Sequence, residues 1–192
     1  MITMSVKTSI AASRTIRNPM LKDEVVFLET SLESQGQHTL VEVTLSAGGG
    51  NPLHFHRAFS EEFTCLEGEL GIQLGKQMLY LKPGESAMAP AMSRHRFFNR
   101  TSEPCRFRCR IAPGFPGFEQ TLQITYGLAC DGKANAQGMP KNPYELAYAF
   151  MISGTCLTGW MSVLQPVLNY LGQQAIKKGI AAELQRKYLK IW

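Results

Sequence analysis

Apolar and polar positions alternate along residues 25–111 in short runs, as expected of β-strands that bury one face. In residues 39–45, for example, three apolar side chains alternate with Glu42 and Thr44, which predicts that the apolar set faces a core. A shorter run at Val25–Leu28 is predicted to be the first strand of the sheet structure. Glycine- and proline-containing turns separate the later runs, at 67–68, 74–76 and 83–84. Many short strands with such turns predict an all-β sandwich or barrel.

The pattern changes to a helical period after residue 115. Apolar residues recur at helical spacing from Phe118 to Ala129, and Asn142–Pro143 offers a cap residue followed by proline, which predicts another helix start. A last helix is predicted over about 180–190. A further apolar stripe is also interpreted as helical, with Pro166 as a kink or a restart; it comprises Leu157, Trp160, Met161, Leu164, Leu168 and Leu171. We expect this stripe to pack on the barrel, against a second subunit, or over the barrel mouth.

These patterns divide the 192 residues into three parts. Residues 1–18 show no clean period and are predicted to form an N-terminal arm that ends at Asn18–Pro19. Residues 19–115 are predicted to form the β-barrel. Residues 116–192 are predicted to form a helical extension packed on the barrel or on a dimer partner. A chain of this length can bury a core without disulfides.

Charge and cysteine content add expectations about location and partners. The formal net charge is +5, and most of the excess lies in the last twenty residues. A solvated helix face explains this charge better than a nucleic-acid site, so we expect no nucleic-acid partner. No apolar run approaches the ~20 residues of a membrane span, and no membrane association is expected. The five cysteines are odd in number and contain no C-x-x-C pair. Reduced thiols and a cytoplasmic location are therefore expected.

Three of the four histidines lie in one stretch together with a glutamate. His54 and His56 flank one residue, so on a strand both project to the same face. Glu61 follows after a short turn, and a later strand delivers His95. Three imidazoles and a carboxylate on inward faces of neighbouring strands can surround one divalent metal ion.

The spacing of these residues resembles that of the cupin family. The first cupin motif, G-x5-H-x-H-x3/4-E-x6-G, is matched by Gly48, His54, His56, Glu61 and Gly68. The second, G-x5-P-x-G-x2-H-x3-N, is matched by Gly84, Pro90, His95 and Asn99. Met92 stands where the family usually has the second glycine of this motif, so the turn before His95 is expected to be altered. The resemblance covers about residues 40–111.

The resemblance implies a fold and several kinds of function. It implies a jelly-roll β-barrel, here with additional C-terminal α-helices, and one divalent ion (Fe, Mn, Ni or Zn) held by His54, His56, Glu61 and His95. Among the functions that the resemblance implies, the intact set of four ligands favours a mononuclear metal-dependent dioxygenase acting on a small organic substrate. A non-catalytic module that binds or senses a small molecule, and a metal-dependent isomerase or decarboxylase, are alternatives. The family habit of dimerising implies a homodimer, in which strands or the N-terminal arm are expected to add to the partner's sheet.

Strand parity assigns further side chains. The spacing to Gly68 selects Glu61 rather than Glu62 as the ligand, and Phe63 then shares the inward face with Glu61. Phe97 likewise shares a face with His95. Phe63 and Phe97 are therefore candidates for a substrate pocket, with simple filling of the barrel interior as the alternative. Separate acid or base candidates are Glu42, Glu62 and Glu119, by position only.

Overall fold

The computed structural model describes residues 14–190 and residue 192. Its centre is a sandwich of two antiparallel sheets with the strand orders β1-β2-β3-β10-β5-β8 and β11-β4-β9-β6-β7. The strands are β1 (Thr15–Asn18), β2 (Asp23–Glu29), β3 (Thr39–Leu45), β4 (His54–His56), β5 (Ser60–Glu67), β6 (Leu70–Leu74), β7 (Gln77–Leu81), β8 (Ser86–Ala89), β9 (His95–Phe98), β10 (Cys105–Ala112) and β11 (Thr155–Leu157). The predicted β-barrel is thus present as two facing sheets.

The predicted alternation of apolar and polar residues matches the burial of the strands. β3 buries every second residue, including Val41, Val43 and Leu45, while Glu42 and Thr44 are only partly buried. β10 likewise buries its apolar positions and turns Arg108 and Arg110 outward. The buried faces of both sheets meet in one apolar cluster that fills the sandwich. The same periodicity later places the candidate ligands on the inner faces.

Four α-helices follow the sandwich within the described residues: α1 (Pro116–Cys130), α2 (Pro143–Ile152), α3 (Gln165–Lys177) and α4 (Ile180–Tyr188). The predicted start of α2 is confirmed, since the Asn142 side chain accepts a hydrogen bond from the backbone N–H of Tyr144. Because these helices accompany the sheets, "all-β" describes the fold only roughly. None of the helices in the described part of the chain has the length and hydropathy that a membrane span needs.

The helical extension is packed on the sandwich through α1. Phe118, Leu122 and Tyr126 of this helix contact the apolar cluster between the sheets. The opposite side of α1, with Ile124 and Leu128, forms a second apolar cluster with α2, α3 and α4. The Glu119 carboxylate accepts hydrogen bonds from the Ser31 backbone N–H and the Thr39 hydroxyl, and so ties α1 to the β2–β3 connection.

The apolar stripe from Leu157 to Leu171 is helical only in part. Leu157 lies in β11, residues 159–164 form a 3₁₀ segment, and a new helix, α3, starts at Gln165, so Pro166 marks a restart. Much of this region faces solvent: Trp160 is 78% exposed and Val163 71%. Apolar period alone could not separate a short strand and a 3₁₀ turn from a helix.

The N-terminal arm is described only in its last part. Residues 1–13 lie outside the described residues. Thr15–Asn18 forms β1 and pairs with β2 of the same chain, with Thr15 opposite Val26 and Asn18 opposite Asp23. The boundaries at 18/19 and 115/116 stay predictions.

Candidate metal centre

Three strands from both sheets bring the four predicted ligands together. β4 carries His54 and His56 on its inner face, and β9 pairs with it so that His95 lies opposite His54. Glu61 comes from β5 in the facing sheet, whose burial alternates so that Glu61 points inward and Glu62 outward. The expected register of β5 therefore agrees with the structure, and all four side chains are buried.

The ligand atoms lie close enough to share one ion. The His54 and His56 Nε2 atoms are 3.0 Å apart, and Glu61 Oε2 lies 2.6 Å from His95 Nε2 and 3.5 Å from His56 Nε2. One nitrogen or oxygen atom from each of the four residues lies within 4.8 Å of the others. This spacing is that of atoms arranged around a common centre.

Backbone carbonyls set the orientation of the imidazoles. His54 Nδ1 lies 2.8 Å from the Pro52 oxygen, His95 Nδ1 lies 2.9 Å from the Ser93 oxygen, and His56 Nδ1 lies 3.4 Å from the Gly154 oxygen. A carbonyl can only accept, so each Nδ1 carries the proton and donates it. In its neutral form, each ring then presents the lone pair of Nε2 to the cluster, which is the usual arrangement for histidine ligands.

This donor set fits a divalent cation. Two Nε2 lone pairs that face each other at 3.0 Å repel unless a proton or a cation lies between them. A buried carboxylate is strongly disfavoured without a positive partner. One ion held by three imidazoles and one carboxylate satisfies both demands, and such mixed nitrogen and oxygen sites suit Fe, Mn, Ni or Zn.

Without an ion, the local pKa values depend on the same contacts. Burial lowers the pKa of His54 to about 4, so this imidazole is neutral. Burial by itself raises the pKa of Glu61, but the contacts with His56 and His95 outweigh it and hold the pKa below its usual range. Burial opposes the charge of His95, yet the hydrogen bond with Glu61 leaves its pKa raised. His95 is thus the imidazole that shares a proton with Glu61, and a cation would take the place of that proton.

Two further side chains, those of Phe59 and Cys109, contact the cluster. The Phe59 ring stacks on His56 with ring centroids 4.2 Å apart, and it contacts Phe115 on its other side at 5.0 Å. The Cys109 thiol lies 3.8 Å from Glu61 Oε1, to which it donates. Burial raises the pKa of that thiol well above its usual range, so it stays protonated and acts as a donor to the carboxylate. Sequence reasoning missed Phe59, although it lies inside the four-residue gap between His56 and Glu61.

The two candidate pocket residues lie in the core beside the cluster. Phe63 is 1% exposed, with its ring centroid 6.1 Å from that of His95. Phe97 is partly buried, and its ring centroid lies 6.1 Å from that of Phe63 and 5.1 Å from that of Phe107. Both rings therefore help to fill the sandwich next to the ligands, and a role in a substrate pocket stays a prediction.

The second motif shapes the turn that delivers His95. Met92 has a φ of +66°, in the left-handed region, at the position where glycine was expected, and its backbone N–H donates to the His56 oxygen over 2.7 Å. Met92 therefore adopts a backbone conformation that glycine adopts more freely. Asn99 braces the chain after β9: its amide donates to the Glu103 oxygen, and its Oδ1 accepts from Thr101.

None of the three carboxylates considered as acid or base reaches the cluster. Glu42 forms an ion pair with Arg106 at 2.6 Å on the outer face of the sheet. Glu62 lies on the face of β5 opposite Glu61, and Glu119 is engaged by Ser31 and Thr39.

Comparison with known proteins supports the sequence resemblance. A family model described as "Cupin domain" matches residues 41–111. A comparison with curated proteins finds no match.

Several solved structures are similar over part of the chain. KdgF from Halomonas sp. is 15% identical and covers 47% of this chain and 78% of its own, with a TM-score of 0.43. A predicted oxalate decarboxylase from Thermotoga maritima is 18% identical and covers 47% and 80%, with a TM-score of 0.46. The polyketide cyclase RemF from Streptomyces resistomycificus is 26% identical and covers 47% and 64%, with a TM-score of 0.42. Residues 41–111 therefore match a cupin domain, and they carry the whole candidate ligand set.

Proposed function

We propose that His54, His56, Glu61 and His95 hold one divalent metal ion and that the protein is a metal-dependent enzyme acting on a small organic molecule. The observation that carries this proposal is the convergence of three Nε2 lone pairs and one carboxylate oxygen in a buried site. When bound, the ion supplies Lewis-acid or redox chemistry.

The remaining residues hold this site in place. The carbonyls of Pro52, Ser93 and Gly154 fix the proton on each Nδ1, and the Cys109 thiol donates to the second oxygen of Glu61. Phe59 covers one face of His56 and excludes water there. An apolar lining of this kind suits a substrate that is partly apolar.

We propose a dioxygenase as the reaction class. A reaction that isomerises or decarboxylates its substrate by proton transfer needs an acid or base near the substrate. Glu42, Glu62 and Glu119 all lie elsewhere. Oxidation by dioxygen at a redox-active ion places less demand on such a group. The distance of these three carboxylates from the cluster also favours the second candidate, a module that binds or senses a small molecule without turnover.

Loading with iron separates these two candidates. Protein reconstituted with Fe(II) under argon is mixed with air-saturated buffer and a panel of small aromatic and aliphatic diols and dicarbonyls, and dioxygen uptake is recorded. A dioxygenase should consume dioxygen in the presence of at least one compound of the panel and convert that compound to a product. Binding of panel members with no uptake above that of metal-free protein would contradict the enzyme proposal and support the binding module.

We also propose a homodimer in the cytoplasm. Five free thiols, including the exposed Cys130, support a reducing compartment. Large exposed apolar side chains, among them Trp160, Val163 and Tyr170, support association with a second copy. Light scattering at micromolar concentration should give twice the chain mass, and a monomeric mass would rule the dimer out.

Pairing of the N-terminal arm with the partner's sheet stays a prediction.

A further inference from the structure

The strand that carries two of the ligands is paired on one side by the helical extension. β11 lies antiparallel to β4, with Thr155 opposite His56, Cys156 opposite Phe55, and Leu157 opposite His54. On its other side β4 pairs with β9 only where His54 lies opposite His95. The position of the short β4 strand therefore depends on a segment about 100 residues away in the sequence.

Further contacts join the same two segments at both ends of this pairing. The Gly154 oxygen lies 3.4 Å from His56 Nδ1. The Thr158 hydroxyl donates to the Leu53 oxygen over 3.0 Å, and Thr158 is buried. The Leu157 backbone N–H donates to the Gln165 side chain, which links β11 to α3. β11 is thus fixed beside the ligands from both of its ends.

The register of this pairing decides where the side chains of β11 point. Residues directly opposite each other in an antiparallel pair project to the same face, with Cβ atoms about 5 Å apart. Thr155 and Leu157 therefore lie on the face of His56 and His54, and Cys156 lies on the opposite face with Phe55. Both Thr155 and Leu157 are only partly buried. They place one hydroxyl and one branched apolar side chain next to the cluster.

We propose that Thr155 and Leu157 form a wall of the substrate site, so that the helical extension sets which molecules reach the metal. This inference rests on the proposed function and adds which residues determine the substrate specificity of that site. The apolar body of Leu157 limits the size of the substrate, and the Thr155 hydroxyl hydrogen-bonds a polar group on it. The substrate class is a small molecule with an apolar part and an adjacent oxygen-bearing group.

Size-graded metal-binding probes test this wall without knowledge of the substrate. Protein reconstituted with Co(II) is titrated with acetohydroxamate and with benzohydroxamate, and binding is followed by the change in the visible absorption of cobalt. The ratio of the two dissociation constants measures how much room the wall leaves. Cobalt content per chain is measured on the same samples.

Leu157→Ala should shift the ratio by about a hundredfold in favour of benzohydroxamate, because even one methylene group in an apolar site changes discrimination by about 10- to 200-fold. Leu157→Val removes one methylene group and should shift the ratio the same way by about tenfold, so the proposal can still be tested if Leu157→Ala fails to fold. Cys156→Ala is the matched control, because it lies in the same strand on the opposite face, and it should leave the ratio unchanged. Thr155→Val should weaken the binding of both probes.

The outcomes separate the two proposals. If the wild-type protein takes up no cobalt, the proposed function itself is contradicted. If the wild-type protein binds cobalt and both probes, but Leu157→Val and Cys156→Ala give the same ratio of dissociation constants, Thr155 and Leu157 do not form a wall of the substrate site. The proposed metal centre would be unaffected by that result.

Discussion

At the scale of single residues, the largest departure from the expected motif is Met92. A side chain in the left-handed region is strained, and only glycine adopts it freely. Met92 has a φ of +66° and is 60% exposed, so it gains little packing in return. What Met92 contributes is the hydrogen bond that its backbone N–H donates to the His56 oxygen, which any residue except proline can make.

We predict that Met92→Gly stabilises the protein by about 1 kcal/mol, because glycine removes the strain of the left-handed conformation. Urea unfolding monitored by circular dichroism measures the change. Met92→Ala is the control: it removes the exposed side chain but keeps the Cβ atom, so it should not stabilise. Equal effects of the two variants would mean that the backbone strain is not the cause.

A second residue-scale prediction concerns Asp23, a buried carboxyl at the start of β2. Burial raises its pKa from 3.8 to about 6, partly offset by the hydrogen bond that the Ser46 N–H donates. Among the described residues, Cys105 and Tyr126 are titratable groups that interact with it. A carboxyl whose pKa is higher in the folded state favours folding while protonated, so this contribution is present at low pH and is lost as the pH rises from about 4 through about 6.

Asp23→Asn should therefore stabilise the protein on the order of 1 kcal/mol at pH 7.5, after allowance for solvent screening, and have little effect at pH 4. The amide keeps an oxygen to accept from Ser46. Thermal unfolding of both proteins at the two pH values checks this. A stabilisation that is the same at both pH values would show that the charge of Asp23 is not responsible.

At the scale of elements, the helix starts follow local chemistry that the sequence displays. Asn142 caps α2 through one hydrogen bond to the Tyr144 N–H, 2.9 Å long, at an exposed position. Loss of such a cap typically costs about 1 kcal/mol. Asn142→Ala should lower the free energy of unfolding by that amount, and Asn142→Asp, which keeps an acceptor, should not. Two variants of equal stability would show that the cap does not matter here.

Local pattern also explains which parts of the site were predictable. Strand parity placed His54 with His56 and separated Glu61 from Glu62, because side chains alternate along any strand. β11 could not be predicted in this way. It is three residues long, lies inside an apolar stripe, and is defined by its pairing with β4 about 100 residues earlier. The contacts of Gly154 and Phe59 with His56 are likewise set by packing, which no motif records.

At the scale of the whole molecule, the candidate ligands connect the two sheets. His54, His56 and His95 belong to one sheet and Glu61 to the other, so an ion held by all four joins the halves of the sandwich. The helical extension packs on one sheet through α1 and extends the other through β11. The central claim is therefore that one ion sits where these parts of the molecule meet, and that Glu61 is its ligand from the second sheet.

Metal content of purified variants tests that claim most directly. Wild type, Glu61→Gln and Glu62→Gln are purified without chelators, and the metal bound per chain is measured by mass spectrometry of the elements. Wild type and Glu62→Gln should each hold about one ion per chain, whereas Glu61→Gln should lose most of it, because a neutral amide is a poorer ligand for a divalent ion than a carboxylate. Retention of the metal by Glu61→Gln together with its loss from Glu62→Gln, or a wild-type protein that binds none, would contradict the account.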